Sequence, residues 1–212
     1  KQHIVALGAL VEERVNQAVR AVLENDQKLA QEVIAGDDLV DEAEVELEEE
    51  CLKVLALHQP VATDLRFVVA VLKINNDLER IGDLAVNIAQ RAEGLGRTAS
   101  RESIPEILTM AEKTKWMLRE SLRSFVSQDG KAARQICSFD RQIDELNRAI
   151  YTNITRWIMD EPAKISALLL QLSVSKHLAR IADHATNIAE DVIYLIEGQI
   201  VRHRAESRTT PR

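Results

Sequence analysis

The feature that most constrains this chain is an internal repeat. Residues 78–89 read LERIGDLAVNIA and residues 178–189 read LARIADHATNIA, so eight of the twelve positions are identical at a shift of one hundred. A repeat of this length predicts two copies of one structural unit. Any chemistry that the repeated segment carries is then present twice.

The repeat extends towards the N-terminus at a slightly different spacing. At a shift of 103, Asp37 matches Asp140 and Asp41 matches Asp144. The three-residue difference between the two shifts falls near Pro60 and Pro162. Insertions of this kind belong in loops, so we expect the register of the helices to be preserved.

Composition predicts an all-α fold. The chain has 212 residues, of which 46% are hydrophobic and 3% aromatic, with only seven glycines and four prolines to form turns. Long aliphatic runs between charges, with few turn residues, are typical of helices rather than sheets. The longest apolar candidate, residues 65–74, is interrupted by Arg66 and Lys73. A membrane-spanning helix needs about 20 apolar residues, so we expect a soluble protein.

Charge and cysteine content narrow the function classes. A net charge of −7 argues against a general nucleic-acid-binding protein. Cys51 and Cys137 lie far apart on helical segments, which indicates reduced thiols in a cytoplasmic protein. Residues 204–212 form a basic tail that we expect to be solvated.

Turn and capping residues predict six helices, three in each copy. In the first copy the boundaries are Asn25 and Asp26, Gly36 and Asp37, His58, the N-cap Thr63, and Gly94 with Gly96. In the second copy we expect helices over residues 104–125, 140–159 and from about 163 to beyond 197. Short loops favour two pseudo-symmetric, antiparallel three-helix bundles. We assign residues 1–96 to the first repeat, 97–203 to the second and 204–212 to the tail.

The third helix of each copy carries a seam that changes from apolar to polar. Spacings of three and four residues place side chains on one helix face, which we interpret as facing inward. In the first copy the seam is Leu65, Val69, Leu72, Asn76, Glu79, Asp83 and Asn87. In the second copy it is Ile165, Leu169, Leu172, Lys176, Ala179, Asp183 and Asn187.

Acidic residues also begin the helix that precedes each seam, and antiparallel packing predicts that the two sets meet. Crowded carboxylates in a partly buried seam repel one another and are costly to desolvate unless a cation neutralises them. Oxygen ligands suit iron, manganese, magnesium or calcium. We therefore predict one metal site in each copy. The predicted ligands are Asp37, Asp41, Glu79 and Asp83 in the first copy and Asp140, Asp144 and Asp183 in the second.

Neighbouring residues support the same interpretation. Arg80 and Arg180 occur in both copies, and we expect them to brace nearby carboxylates. Gly82 and Ala182 are small enough to leave room beside each aspartate for a close helix or a bound water.

Two alternatives compete with a metal-binding protein. Residues 37–50 are acidic at nine of fourteen positions, which is typical of a solvated helix face and leaves a metal-free helical adaptor open. A di-iron carboxylate enzyme would need Glu-x-x-His on two helices, but the residues three before His58, His177, His184 and His203 are apolar. The chain also lacks a Gly-rich phosphate loop and a compact nucleophile motif. We expect no catalytic residues and no enzymatic activity.

Three segments together resemble the PhoU family of bacterial phosphate regulators. They are QPVATDLR at 59–66, DLERIGDLAVNIA at 77–89 and ARIADHATNIAED at 179–191. The resemblance covers nearly the whole chain and implies two three-helix bundles. It also implies metal clusters held by an E/D-x-x-x-D pattern on each inner helix. Ala179 departs from that pattern, since alanine offers no ligand atom.

The resemblance further implies regulation rather than catalysis. PhoU-like proteins act with the phosphate ABC transporter, through its ATPase subunit, and with the phosphate-sensing histidine kinase. They damp the starvation response when phosphate is plentiful. A cytoplasmic regulator that reaches the membrane through its partners is therefore expected here, with a homodimer left open.

Overall fold

The computed structural model describes residues 1–98 and 104–199. Within these ranges it contains seven α-helices, one 3-10 turn at Pro162–Lys164 and no strand, which confirms the all-α prediction. The helices are α1 (Gln2–Glu24), α2 (Gln27–Ala35), α3 (Asp38–His58), α4 (Ala62–Gly96), α5 (Pro105–Ser127), α6 (Gly130–Asp160) and α7 (Ile165–Glu197). The predicted division between residues 96 and 97 stays a prediction. The predicted tail, 204–212, lies outside the described residues.

The prediction of six helices is wrong, because the two copies divide their middle segment differently. In the first copy α2 ends before Gly36, and α3 begins at Asp38 as a separate helix. In the second copy α6 starts at Gly130, not at Asp140, and runs unbroken for 31 residues. Phe139 stands where the first copy has Gly36, so no helix-breaking residue interrupts α6.

Aspartates cap the corresponding helices α2 and α6. The side chain of Asp26 accepts a hydrogen bond from the backbone N–H of Leu29 at 3.0 Å. Its repeat partner Asp129 accepts from the N–H groups of Lys131 and Ala132 at 2.9 and 3.0 Å. A cap of this kind stabilises a helix by about 1 kcal/mol. Both copies therefore begin this segment in the same way and diverge later.

The start of α4 differs from the prediction that Thr63 is its N-cap. Gln59 leaves α3 with a left-handed φ of 45°, and Val61 is extended at φ −126°. These residues complete the turn early, so α4 begins at Ala62 and has no side-chain cap.

The centre of the molecule is the antiparallel pair α4 and α7. Helices α1, α2 and α3 pack on α4, α5 and α6 pack on α7, and α1 also contacts α5. Buried side chains from all seven α-helices join one apolar cluster. Each fully buried isoleucine or leucine in such a cluster contributes about 1.5–3 kcal/mol. The shared core holds the two acid-bearing helix pairs, α3 with α4 and α6 with α7, in equivalent positions.

The seam on α4 and α7 begins beside the core, so the prediction that it faces inward is wrong for its first residues, whereas Leu72 and Leu172 are partly buried against the core. Leu65, Ile165 and Leu169 are 41%, 43% and 50% exposed. Helix α4 buries its broad face against α1, α2 and α7, and the seam lies at the margin next to α3. Spacing alone predicts which residues share a face, but not which neighbour covers that face.

Helices α3 and α4 approach closely at Gly82. A Cβ atom built there would lie 3.0 Å from Cγ1 of the buried Val40. The predicted role of Gly82 in leaving room for a close helix is confirmed by this contact. Among the helices that the structure describes, none is long and apolar enough to cross a bilayer.

Candidate metal centres

The first copy brings its four predicted acids into the groove between α3 and α4. Asp37 immediately precedes α3 and Asp41 lies one turn later, while Glu79 and Asp83 are one turn apart in the middle of α4. The charges of Asp41 and Asp83 act on Asp37, and the same two charges act on Glu79. We refer to these four residues as the first acidic groove.

Burial and mutual repulsion perturb the acids of the first acidic groove. Partial loss of solvent raises the pKa of Asp37, and the neighbouring aspartates raise it further, against a smaller opposing effect of Arg14. The pKa of Glu79 is also raised, first by burial and then by the charge of Asp83. Both shifts show that the groove disfavours its own negative charge.

Glu44 extends the first acidic groove by one turn of α3. Burial raises its pKa most, followed by the charges of Glu48 and Asp41. Its Oε1 accepts a hydrogen bond of 2.9 Å from Nδ2 of Asn75, which also donates to the Glu44 carbonyl at 3.0 Å. Glu44 follows Asp41 by three residues, a spacing that places it on the same face of α3.

Arg80 neutralises part of the charge in this groove. Its Nε lies 3.3 Å from Oε2 of Glu79, and its Nη1 lies 3.5 Å from Oδ2 of Asp83. These distances confirm the predicted bracing role of Arg80. Ion pairs of this exposure contribute about 0–1 kcal/mol each, so one guanidinium does not balance four carboxylates.

The second copy holds three acids between α6 and α7, which we call the second acidic groove: Asp140, Asp144 and Asp183. Burial, followed by the charges of Asp140 and Asp144, raises the pKa of Asp183 to about 6. The pKa of Asp140 is raised by burial and by Asp144, while a 3.4 Å hydrogen bond from Thr186 opposes the shift.

The second acidic groove differs from the first in one ligand position and in the contacts of its arginine. Ala179 replaces Glu79 and removes one carboxylate. Arg180 lowers the pKa of Asp183, but among the described residues it forms no ion pair, so its predicted bracing role is not seen as a direct contact.

The side chains of neither groove converge on a single centre as they stand. Over residues 1–98 and 104–199, no three His, Cys, Asp or Glu groups are arranged to hold a metal ion. The donor set itself fits a hard cation, because it consists of carboxylates that are crowded and partly desolvated. The ligand roles of all seven acids stay predictions.

Sequence analysis missed a buried polar contact between the two copies. Asp77 of α4 is 6% exposed, and its Oδ1 lies 2.8 Å from Nδ1 of His184 and 3.2 Å from Nδ2 of Asn187 on α7. The available signal was a departure from the repeat, since Asp77 corresponds to His177 and His184 to a leucine. The cysteines agree with the prediction of reduced thiols: both are free, Cys51 buried and Cys137 half-buried.

Two further contacts between α4 and α7 are related by the repeat but differ in charge. Nζ of Lys73 lies 3.1 Å from Oδ1 of the buried Asp191. At the other end of the helix pair, Nε of Arg91 donates to Oγ of Ser173 at 3.0 Å. A shift of one hundred maps Lys73 onto Ser173 and Arg91 onto Asp191. One end therefore has an ion pair where the other has a cation beside a hydroxyl.

Comparison with known proteins gives matches along both copies. The family model described as PhoU domain matches residues 4–92 and 107–192. The phosphate-specific transport system accessory protein PhoU homolog of Pseudomonas putida is 37% identical over 211 residues, which cover 99% of this chain and 82% of that protein. The protein of the same name from Aquifex aeolicus is 38% identical over 204 residues, covering 96% and 92%.

Solved structures give the same result. The crystal structure of PhoU from Pseudomonas aeruginosa has a TM-score of 0.90 and 36% identity, covering 93% of this chain and 95% of that one. The phosphate transport system regulatory protein PhoU from Streptococcus pneumoniae has a TM-score of 0.88 and 30% identity, with 94% of each chain covered. These matches confirm the predicted fold of two repeated helical bundles. They are to accessory and regulatory proteins, which confirms the prediction that the chain is not an enzyme.

Proposed function

This chain belongs to the PhoU family, and on that premise we propose that it is a regulatory accessory protein of phosphate uptake. In this role it represses the phosphate-starvation response when phosphate is plentiful. The observation that carries the proposal is the end-to-end match, because relatives named as accessory to a phosphate-specific transport system align with both copies.

The proposed mode of action is contact with protein partners. The protein would act from the cytoplasmic side on the ATPase subunit of the phosphate ABC transporter and on the phosphate-sensing histidine kinase. A family of regulatory proteins without catalytic function must act by changing the state of the proteins that it binds. Support for these partners comes from the family alone, since the relatives' names specify the transport system but not the contacted subunit.

The acidic grooves would serve this role as cation sites. The first acidic groove would hold a hard cation through Asp37, Asp41, Glu79 and Asp83. The second acidic groove would bind a cation less tightly through its three aspartates, because a missing carboxylate reduces the attraction between the groove and the cation. When bound, the cation supplies charge neutralisation between paired helices. The raised pKa values of Asp37 and Glu79 support this proposal, since they mark a groove that lacks positive charge.

Deletion of the chromosomal gene tests the regulatory role. We expect phosphate-starvation genes to be expressed in high phosphate when the gene is absent, and repression to return with a wild-type copy. A copy truncated after Gln199 should also restore repression, because the described helices end before that residue. Unchanged starvation-gene expression in the deletion strain would contradict the regulatory role and favour a metal-free helical adaptor.

A pull-down with the purified ATPase subunit tests the partner assignment separately. Capture by the wild-type chain, without capture of an unrelated ABC ATPase of similar charge, is the expected result. Loss of gene regulation in the deletion strain without any capture would keep the regulatory role and move the contact to the kinase.

A further inference from the structure

A basic cluster lies between α4 and α7, and its Arg180 acts electrostatically on Asp183 of the second acidic groove. Nε of Arg91 donates to Oγ of Ser173 at 3.0 Å, and the same Oγ lies 3.3 Å from Nε2 of His177. These three side chains are half-buried, whereas Arg180, three residues after His177 on α7, is exposed. The cluster therefore combines two guanidinium groups, an imidazole and a hydroxyl, and it is open to solvent on the Arg180 side.

Negative charge does not balance this cluster. Within the described residues, neither Arg91 nor Arg180 forms an ion pair. The charged groups that act on the His177 ring are these two cations, which together with burial lower its pKa. Nδ1 of His177 is buried, and no residue that the structure describes forms a hydrogen bond with it. A buried polar atom without a partner destabilises the folded state, so the cluster is incomplete as it stands.

The other end of the same helix pair shows what is missing. There, Asp191 lies against Lys73, and Asp77 lies against His184. At the second end neither carboxylate is present, since Arg91 stands at the position that matches Asp191, and His177 at the position that matches Asp77. One end is neutralised by its own acids, and the other has no carboxylate at the two matching positions. An anion from solution would supply the negative charge that the two aspartates supply at the first end.

We propose that Arg91, Ser173, His177 and Arg180 form a binding site for a tetrahedral oxyanion of the phosphate or sulfate class. Guanidinium groups bind such anions through paired N–H donors, and the hydroxyl and imidazole add further hydrogen bonds. Two acids lie within three residues of these donors, Glu93 and Asp183. Arg180 influences Asp183, but neither acid is among the charges that act on His177. The inference does not rest on the proposed function, because anion binding is a property of the isolated chain.

Histidine side-chain NMR on the full chain tests the site. Inorganic phosphate and glycerol phosphate are titrated separately, with sodium chloride at equal ionic strength as the reference. We expect a saturable shift of the His177 ring signals with phosphate and none at His184, whose Nδ1 contacts Asp77. Saturation by either ligand supports the site, and the tighter of the two identifies the source as the free ion or a phosphate ester.

The repeat supplies a matched variant. Arg91→Asp combined with Ser173→Lys rebuilds the Lys73–Asp191 pair at this end, so the variant is expected to fold. Calorimetry measures the phosphate affinity of this double variant and of the single variant His177→Asn. We expect the affinity to fall at least tenfold in each. Arg20→Gln on α1 is the control, because it lowers the net charge by one unit, as the double variant does. It should keep the wild-type affinity for phosphate. Absence of a saturable His177 shift with both ligands, or unchanged affinity in both variants, would overturn the proposal.

Discussion

The first copy breaks its middle segment where the second copy runs on. In the first copy Gly36, at φ −98° and ψ 11°, ends α2, and Asp37 immediately precedes a new helix. In the second copy Phe139 continues α6, so Asp140 lies in the middle of a helix. The two aspartates match in the repeat but stand on different backbones. Equivalent side chains in a duplicated protein therefore need not have equivalent electrostatic surroundings.

The break explains part of the difference between the acidic grooves. The N-terminus of a helix carries a partial positive charge that stabilises an acid in the first turn by about 0.3–1 kcal/mol. Asp41 lies in the first turn of α3 and gains this stabilisation, whereas Asp144 in the interior of α6 does not. Arg80 adds a second source of positive charge to the first acidic groove. The first copy can therefore keep four carboxylates where the second keeps three.

The largest expected effect comes from moving the break into the second copy. Phe139 packs on Trp116 with ring centroids 4.5 Å apart, and Lys113 lies 5.5 Å from the Phe139 centroid. Phe139→Gly removes this packing and places glycine inside α6, so we expect a loss of about 3 kcal/mol in the free energy of unfolding. Urea denaturation followed by circular dichroism measures it.

Two controls accompany that variant. Phe139→Leu keeps a helix-forming apolar residue and should lose about 1 kcal/mol. Gly36→Ala in the first copy should cost less than about 1 kcal/mol, because its Cβ meets only the flexible end of Arg14. Equal stability of Phe139→Gly and wild type would show that Phe139 does not hold α6 together.

Exchange of the small residues at the two helix approaches should have a moderate effect. Gly82→Ala brings a methyl group to within 3.0 Å of the buried Val40, and Ala182→Gly removes a fully buried methyl group. In Gly82→Ala, the cost of overpacking exceeds the gain in helix propensity. In Ala182→Gly, the lost packing and the lower helix propensity of glycine both destabilise the protein. We expect losses of about 1 kcal/mol for Gly82→Ala and about 2 kcal/mol for Ala182→Gly by thermal denaturation. A gain in Gly82→Ala would show that α3 can move away from α4.

The smallest expected effect is a pH-dependent gain in the second copy. The pKa of Asp183 is about 6 when folded and 3.8 in the ordinary reference state, so folding takes up a proton between these values. Its contribution to stability therefore falls as pH rises from about 4 to 6 and stays lost above that range. Asp183→Asn should be about 1 kcal/mol more stable than wild type at pH 7, a value reduced by solvent screening. The advantage should vanish below pH 4 when unfolding is measured with chelator present.

Local sequence signals predicted most of the fold and placed the acids on the correct helices. Spacings along one helix depend on neighbours three and four residues away, so the acid-bearing faces of α4 and α7 were readable. The continuity of α6 was missed because the helix break at Gly36 was assumed to recur at Phe139. Whether the helix breaks depends on the residue at that position, and phenylalanine continues the helix where glycine ends it. The Asp77–His184 contact could not be predicted, since it depends on how α4 and α7 pack across 107 residues of chain.

The bound metal content of the purified chain tests the central claim, that the first acidic groove is the stronger cation site. Elemental analysis after equilibration with Mn²⁺ gives the stoichiometry. Calorimetric titration of Mn²⁺ into protein that a chelator has stripped of metal gives the affinity. We predict that Glu79→Ala lowers bound metal more than Asp183→Ala does, and that Ala179→Glu raises it by restoring a fourth carboxylate to the second acidic groove. Intact metal binding in Asp83→Ala together with complete loss in Asp183→Ala would contradict the account.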